Sequence, residues 1–204
     1  MEKENASGHG RRMKKFFERY SYQSVVLFLN QIAIAIFGLV LALAAGMAKN
    51  EVLKIVTSSF SIVFFLFLQY GTAWKVGAED RVSIDLGKMK KDLSVPVKMW
   101  LLSNSVNLLL AVFVTLGMLL PDIAVFSSIG GIGATAALLI EGMYTGILSL
   151  DVLGAPLNSY WFMYFAITLP SLLVVFVAYI LGVKNVTFTR LFLPSAPKDK
   201  SNRK

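Results

Sequence analysis

Glu141 is the residue in this sequence that could most readily carry chemistry, because it is a single carboxylate inside the apolar stretch 126–150. Acidic side chains are costly in hydrocarbon, and those found there often mark the path of an ion or a substrate. At the headgroup level the same carboxylate would simply be solvated. The charge pattern described below favours the solvated interpretation. Asp122 and Asp151 flank the stretch, and we interpret both as interfacial residues.

Four side-chain amides form a second candidate group. Asn30 and Gln31 lie near the start of the first apolar run, and Asn104 and Asn107 lie near the start of the third. An amide that faces lipid is unfavourable, so these side chains predict a polar cluster inside a helical bundle. Such a cluster either joins the two helices by hydrogen bonds, which is our default interpretation, or lines a polar cavity.

Residue types that serve most enzyme chemistry are scarce. The absence of cysteine excludes disulfides, thiolate metal sites and catalytic thiols. The single histidine, His9, lies in the polar N-terminal tail, and no apolar run holds a pair of carboxylates. Gly130, Gly131 and Gly133 do not match a phosphate-binding loop, because no Lys-Ser/Thr pair follows them. We therefore expect no catalytic residue, no metal site, no cofactor and no enzyme activity.

Long apolar helices must position these side chains. The 204 residues are 56% hydrophobic and only 16% charged, and the mean hydropathy is +0.66. Several apolar runs exceed twenty residues, the length that a helix needs to cross a hydrocarbon core of about 30 Å. The sequence therefore predicts an all-α membrane protein built as a four-span helical bundle.

Basic residues are confined almost entirely to three regions. Six precede Gln23, six lie in 75–98 and six follow Val183, whereas none lies between Met99 and Val183. Under the positive-inside rule these three regions are cytoplasmic, and they suit a bilayer with anionic headgroups as a partner. A net charge of +8 could also suit nucleic acid. The basic residues form no nucleic-acid-binding module, however, so we expect no such partner.

Apolar runs and basic regions together divide the chain into five parts. These are a basic amphipathic cytoplasmic segment at 1–24, a membrane hairpin of spans one and two at 25–74, a basic cytoplasmic loop at 75–98, spans three and four at 99–183 with an outer segment at 121–158, and a basic cytoplasmic tail at 184–204. We expect the first part to lie at the membrane surface, because its apolar residues share one helix face.

The stretch 126–150 is apolar enough to be a further span. A crossing there would place the basic tail 184–204 outside the cell, contrary to the positive-inside rule. We therefore predict a cell-membrane protein with both termini in the cytoplasm. In this prediction 126–150 stays on the outer side as one or two interfacial or re-entrant helices, which the bundle shields.

Gly38, Ala42 and Gly46 are small residues at four-residue spacing in the first run. Such spacing lets two helix backbones approach closely, so it predicts a packing surface. Packing within one chain is favoured over a homodimer, because a bundle of several spans needs internal contacts of this kind.

Three classes of function remain open. A non-enzymatic accessory or scaffold subunit of a membrane complex is favoured, since catalytic side chains are missing, and it would have a protein partner in the membrane. A small transporter, or the membrane-embedded substrate-binding component of one, would need a polar cavity lined by the four amides. An intramembrane enzyme is disfavoured for the lack of His, Cys or paired carboxylates in a span.

Overall fold

The computed structural model of the protein describes residues 2–152 and 154–187, and it confirms the predicted all-α class. In chain order the elements are α1 (Glu2–Met47), α2 (Glu51–Asp85), α3 (Val95–Ser103), α4 (Ser105–Leu119), α5 (Ala124–Ile140), a 3₁₀ turn (Gly142–Tyr144), α6 (Thr145–Leu148), β1 (Asp151–Val152), β2 (Ala155–Pro156), a second 3₁₀ turn (Leu157–Ser159), α7 (Met163–Ala166) and α8 (Leu169–Val183). The two short strands form an antiparallel hairpin.

Three helical stretches are long and apolar enough to cross a membrane, namely Met13–Met47, Glu51–Asp85 and Met163–Val183. Two bent helix pairs also qualify if each pair counts as one span. The axes of α3 and α4 meet at 59°, and those of α5 and the Gly142–Leu148 segment meet at 86°. Length and composition thus support three to five crossings within the described part of the chain.

The long helices α1 and α2 continue beyond the segment boundaries that were predicted from the sequence. α1 contains the basic N-terminal segment and the first apolar run in one helix, and α2 continues beyond Trp74 to Asp85. Neither helix contains a proline. The start of α2 is capped by Asn50, whose Oδ1 accepts a hydrogen bond from the Leu53 amide at 3.1 Å. Its end is followed by Gly87 with a positive φ of 69°.

α2 packs against both α1 and α8, and α3 packs against α1 and α8. The start of α1, the end of α2, the start of α3 and the end of α8 share one buried cluster that includes Phe16, Val76, Val95 and Tyr179. We call this part of the bundle the basic end, because the lysines of the 86–94 connection adjoin it. α2 and α8 therefore run in the same direction.

α4 and α5 form an antiparallel helical hairpin. Their backbones approach closely at two glycines, since a Cβ added to Gly117 would lie 2.6 Å from the Cα of Gly130. Leu110 and Val114 of α4 are buried with Ala137 of α5. The end of α5 thus lies beside the first half of α4.

Residues 141–148, which we call the inserted turn, lie between α1 and α2. Gly142 packs on the Ala35 carbonyl of α1, and Gly38 of α1 packs on Met143. On α2, Gly146 contacts Ser58. A side chain at Gly142 would collide with α1, so the close approach requires glycine there.

The last predicted span is interrupted near its start. α7 ends at Ala166 and α8 begins at Leu169, with Pro170 in the first turn of α8. A proline in that position costs no helical hydrogen bond, because the first amides of a helix have no partner within it. The tail at 184–204 is described only to Thr187, so most of this predicted cytoplasmic segment lies outside the described residues.

Candidate functional site

Asp80 lies near the end of α2 and is the most buried charged side chain in the described part of the chain, with 1% of its surface exposed. Arg19 of α1 donates to Oδ1 from Nε at 3.1 Å and from Nη2 at 2.7 Å. The hydroxyls of Tyr20 and Tyr179 each donate to Oδ2 at 2.8 Å. These four side chains, the Asp80 network, join α1, α2 and α8.

The Asp80 network removes the usual cost of burying a carboxylate. Both oxygens accept two hydrogen bonds, and Arg19 supplies the opposite charge while its side chain remains 42% exposed. A buried ion pair offsets its desolvation cost only when such additional hydrogen bonds complete it. The arrangement is therefore suited to fixing three helices in register.

Sequence analysis missed Asp80 because it treated 75–98 as a solvated loop of mixed charge. One pattern could have identified the residue. Gln69, Ala73, Val76 and Asp80 recur at intervals of three or four, and all four are buried on one face of α2. Extending the helix beyond Trp74 along this pattern carries Asp80 into the bundle.

Asn104 and Asn107 lie at the break between α3 and α4. The Asn104 amide nitrogen donates to the Trp100 carbonyl at 3.2 Å and to the Ser103 hydroxyl at 3.1 Å. Asn107 donates to Asn104 Oδ1 at 3.0 Å. The helix axis bends by 59° here, and a bend disturbs the regular hydrogen bonds of the helix backbone. The two amide side chains hydrogen-bond to groups at this bend.

Asn30 and Gln31 each have a different partner, so among the four predicted amides only Asn104 and Asn107 bond to each other. Asn30 donates to the Thr72 hydroxyl of α2 at 3.2 Å. Gln31 donates to the Ile140 carbonyl at the end of α5 at 3.3 Å. Among the described residues, no hydrogen bond joins the α1 pair to Asn104 or Asn107.

The three small residues of the first run contact different surroundings. Gly38 packs on Met143 of the inserted turn, and Ala42 is buried, whereas no atom lies within 4 Å of a Cβ added at Gly46. The close approach between two long helices is instead at Gly77 of α2 and Gly182 of α8. Sequence analysis missed this pair because the glycines lie far apart in the chain.

Glu141 is buried, with 5% of its surface exposed, so its predicted solvated position is wrong. The physical reason is the inserted turn, which packs into the space between α1 and α2 rather than over the bundle surface. Glu141 is the residue at which α5 ends, and its backbone amide makes the last α5 hydrogen bond, to the Ala137 carbonyl at 2.8 Å. Its side chain therefore lies at the helix break.

A cavity of about 120 Å³ adjoins the Glu141 side chain. Its polar lining consists of Glu141, Thr145, Ser149, Asn158 and Tyr164, and its remaining walls are alanine and leucine side chains. The Thr145 hydroxyl is buried and has no hydrogen-bond partner among the residues described. The cavity thus has one buried hydroxyl without a hydrogen bond, that of Thr145, in its lining beside Glu141.

A wider groove of about 890 Å³ lies at the basic end, between the first part of α1 and the 86–94 connection. It is lined by six basic side chains, namely Lys15, Arg19, Lys88, Lys90, Lys91 and Lys98, and by the acidic Glu18 and Asp92. Lys98 Nζ lies 5.9 Å from the centre of the Phe16 ring. The excess of positive charge suits an anionic ligand.

No protein-family model, no curated protein and no solved structure matches this chain. Function must therefore be argued from the side chains themselves. Within the described residues, no three His, Cys, Asp or Glu side chains are grouped as a metal site would require. Among the described residues the bundle offers one buried carboxylate with its charge paired, Asp80, one buried carboxylate with no hydrogen bond or ion pair, Glu141, and a basic groove.

Proposed function

We propose that the protein is a multi-pass cell-membrane protein with four spans, formed by α1, α2, α3 with α4, and α7 with α8. Both termini are cytoplasmic. The proposal is supported by the basic end, where the ends of α2 and α8 share a buried cluster with α1 and α3 and where six basic side chains line the groove beside α1 and α3. Under the positive-inside rule such an end faces the cytoplasm.

In this topology α5 and the inserted turn form a re-entrant segment on the outer side. The Ile140 carbonyl contacts Gln31, which precedes Met47 by 16 residues, or about 24 Å along α1. Gly146 contacts Ser58, which lies two turns inside the outer start of α2. The chain thus enters to the depth of Gln31 and returns towards the outer end, shielded by helices.

For its role we favour a non-enzymatic accessory or scaffold subunit of a membrane complex. The observation that carries this proposal is the use made of the buried polar side chains. Asp80, Trp100 and Gln69 each hydrogen-bond to another helix. A transport site of the predicted kind would need a cavity lined by the four amides. Neither of the two cavities described above contains any of them in its lining.

The exposed face of α2 is the best surface for a partner helix. Phe60, Val63, Phe64 and Phe67 lie along it and are exposed, and the rings of Phe60 and Phe64 stack with centroids 6.3 Å apart. Large aromatic side chains are enriched where proteins associate. We expect this face to contact the partner subunit.

A photo-crosslinking residue at Phe67 tests the scaffold role in native membranes. The matched control is the same residue at Leu173, which is equally exposed on α8. We expect one discrete protein adduct from Phe67 and none from Leu173. Adducts with lipid alone at both positions, together with solute flux through the purified protein in vesicles, would favour transport instead.

A small transporter is a second candidate, and one observation favours it. Glu141 is buried beside a cavity at a helix break, and broken helices and buried carboxylates are common features of membrane transport sites.

A further inference from the structure

Glu141 has no partner for its charge in the described structure. No hydrogen bond or ion pair reaches its side chain from any described residue, although only 5% of its surface is exposed. This contrasts with Asp80, whose two oxygens accept four hydrogen bonds. A buried carboxylate left in this state requires a proton or a bound cation.

No lysine or arginine among the described residues pairs with Glu141. No lysine or arginine occurs between Met99 and Val183. Lys54, whose backbone carbonyl adjoins Gly146 of the inserted turn, already pairs with Glu51 at 2.8 Å. Glu141 also lies at the C-terminal end of α5, where the helix dipole is negative and disfavours a carboxylate. Both effects favour a positively charged ligand from outside the chain.

The cavity offers ligands that suit a hard cation. Most of its wall is apolar, but besides Glu141 the lining residues Thr145, Ser149, Asn158 and Tyr164 carry side-chain oxygens. The buried Thr145 hydroxyl, which has no hydrogen-bond partner among the described residues, is a second, independent group that a ligand in the cavity could engage. At about 120 Å³ the cavity can hold a cation with a few water molecules, since each water takes about 30 Å³ in the liquid.

We propose that Glu141 and the cavity beside it bind a monovalent alkali cation at the break between α5 and the inserted turn. One carboxylate balances one positive charge, and the other ligands are neutral oxygens. A divalent ion would require more carboxylates than this cavity contains. The proposal does not depend on the scaffold role, because binding can be measured on the purified protein alone.

A proton competes with the cation for the same carboxylate. The other titratable groups that interact with Glu141 are the phenols of Tyr144 in the inserted turn and Tyr164 in α7. α1 contacts this region through Gln31, which does not ionise, and α2 contributes Lys54, whose amine is paired. Cation binding should therefore strengthen as the pH rises and Glu141 loses its proton.

The first test is the melting temperature of the purified protein in detergent, in sodium, potassium or choline chloride at equal ionic strength. We expect at least one alkali cation to raise the melting temperature above that in choline, and more so at mildly alkaline than at mildly acidic pH. Glu141→Gln should abolish the shift. The matched control, Asp151→Asn, removes an exposed carboxylate ten residues further along the chain and should retain the shift.

A second measurement covers the case in which Glu141→Gln does not fold. Dicyclohexylcarbodiimide reacts with protonated carboxyls in apolar surroundings, and mass spectrometry locates the adduct. We expect labelling at Glu141 that the stabilising cation suppresses, and Thr145→Val should raise the cation concentration required by about tenfold or more. Labelling that depends on pH but is the same in sodium, potassium and choline would overturn the proposal. So would a cation response that survives in Glu141→Gln.

Discussion

Asp80 and Glu141 are both carboxylates buried in a helical bundle, yet their surroundings differ completely. Asp80 is completed by Arg19, Tyr20 and Tyr179 from two other helices. Glu141 lies at the end of a helix and beside a cavity, with neutral oxygens around it. At the residue scale, the first arrangement fixes structure and the second leaves a place for a ligand.

Asp80→Ala should destabilise the purified protein in detergent by about 2–4 kcal/mol. The change removes the ion-pair partner of Arg19 and the acceptor that the phenols of Tyr20 and Tyr179 share, which leaves buried donors without their partner. Thermal unfolding provides the measurement. Asp85→Ala is the control, because Asp85 is exposed on the same helix and its pair with Arg81 at 3.3 Å should contribute under about 1 kcal/mol. Equal losses in the two variants would contradict this account.

The hydrogen bonds of the amide side chains predict which substitutions are coupled in their effect on stability. Asn107 donates to Asn104 at 3.0 Å, whereas Asn30 bonds to Thr72. In double-mutant cycles Asn104→Leu and Asn107→Leu should couple by about 0.6 kcal/mol, and by no more than about 1.7. Asn104→Leu and Asn30→Leu should be additive. Coupling between Asn104 and Asn30 would instead restore the single polar cluster that the sequence suggested.

At the element scale, α2 and α8 depend on two glycines for their close approach. A Cβ at Gly77 would collide with the Tyr179 carbonyl, and one at Gly182 would collide with the Trp74 carbonyl. Gly77→Ala should therefore cost roughly 1–3 kcal/mol through overpacking. Gly46→Ala on α1 meets open space, and it should be neutral or stabilising by up to about 1 kcal/mol. Thermal unfolding in detergent distinguishes the two variants. A Gly77→Ala protein as stable as the wild type would contradict the close approach of α2 and α8.

The basic groove predicts a preference for anionic lipid. A short-chain phosphatidylglycerol should raise the melting temperature more than the matching phosphatidylcholine, and Lys91→Glu should reduce the difference. Lys49→Glu makes the same charge change at the opposite end of the α1–α2 pair, so it should leave the difference unchanged. Inorganic phosphate as a competitor shows whether the headgroup alone is recognised. If Lys91→Glu and Lys49→Glu reduced the difference in melting temperature equally, the lipid preference would come from the net charge of the protein and not from the groove.

Sequence reasoning succeeded for the elements whose pattern is local. Apolar runs predicted the helices of α1, α2 and α8, because each run is long enough to define its own helix. Prediction from the sequence failed for residues whose burial depends on contacts between distant parts of the chain. The burial of Glu141 depends on the contacts of Gly38 with Met143 and of Gly142 with Ala35, and that of Asp80 depends on Tyr179, 99 residues away. The spacing of buried residues along α2 indicates that Asp80 faces inward, but no pattern within one segment shows its bond to Tyr179 or the contacts of the inserted turn.

At the scale of the whole molecule, the charge pattern and the parallel direction of α2 and α8 make the same topological prediction. Reporter fusions at Lys91 and at the C-terminus should both report the cytoplasm, and a fusion at Ser149 should report the outside. A C-terminal reporter on the outer side would contradict the four-span topology. It would require α5 and the inserted turn to cross the membrane, although that turn lies between α1 and α2.

The Asp80 network also imposes an order in time on biosynthesis. Arg19, Tyr20 and Asp80 belong to the first two helices, so they can meet as soon as that hairpin leaves the ribosome. Tyr179 is translated 99 residues after Asp80, and until it arrives Oδ2 holds only the hydrogen bond from Tyr20. A quality-control protease that samples the nascent bundle would therefore encounter a hairpin already locked in register, with the docking of α8 as the step that completes maturation.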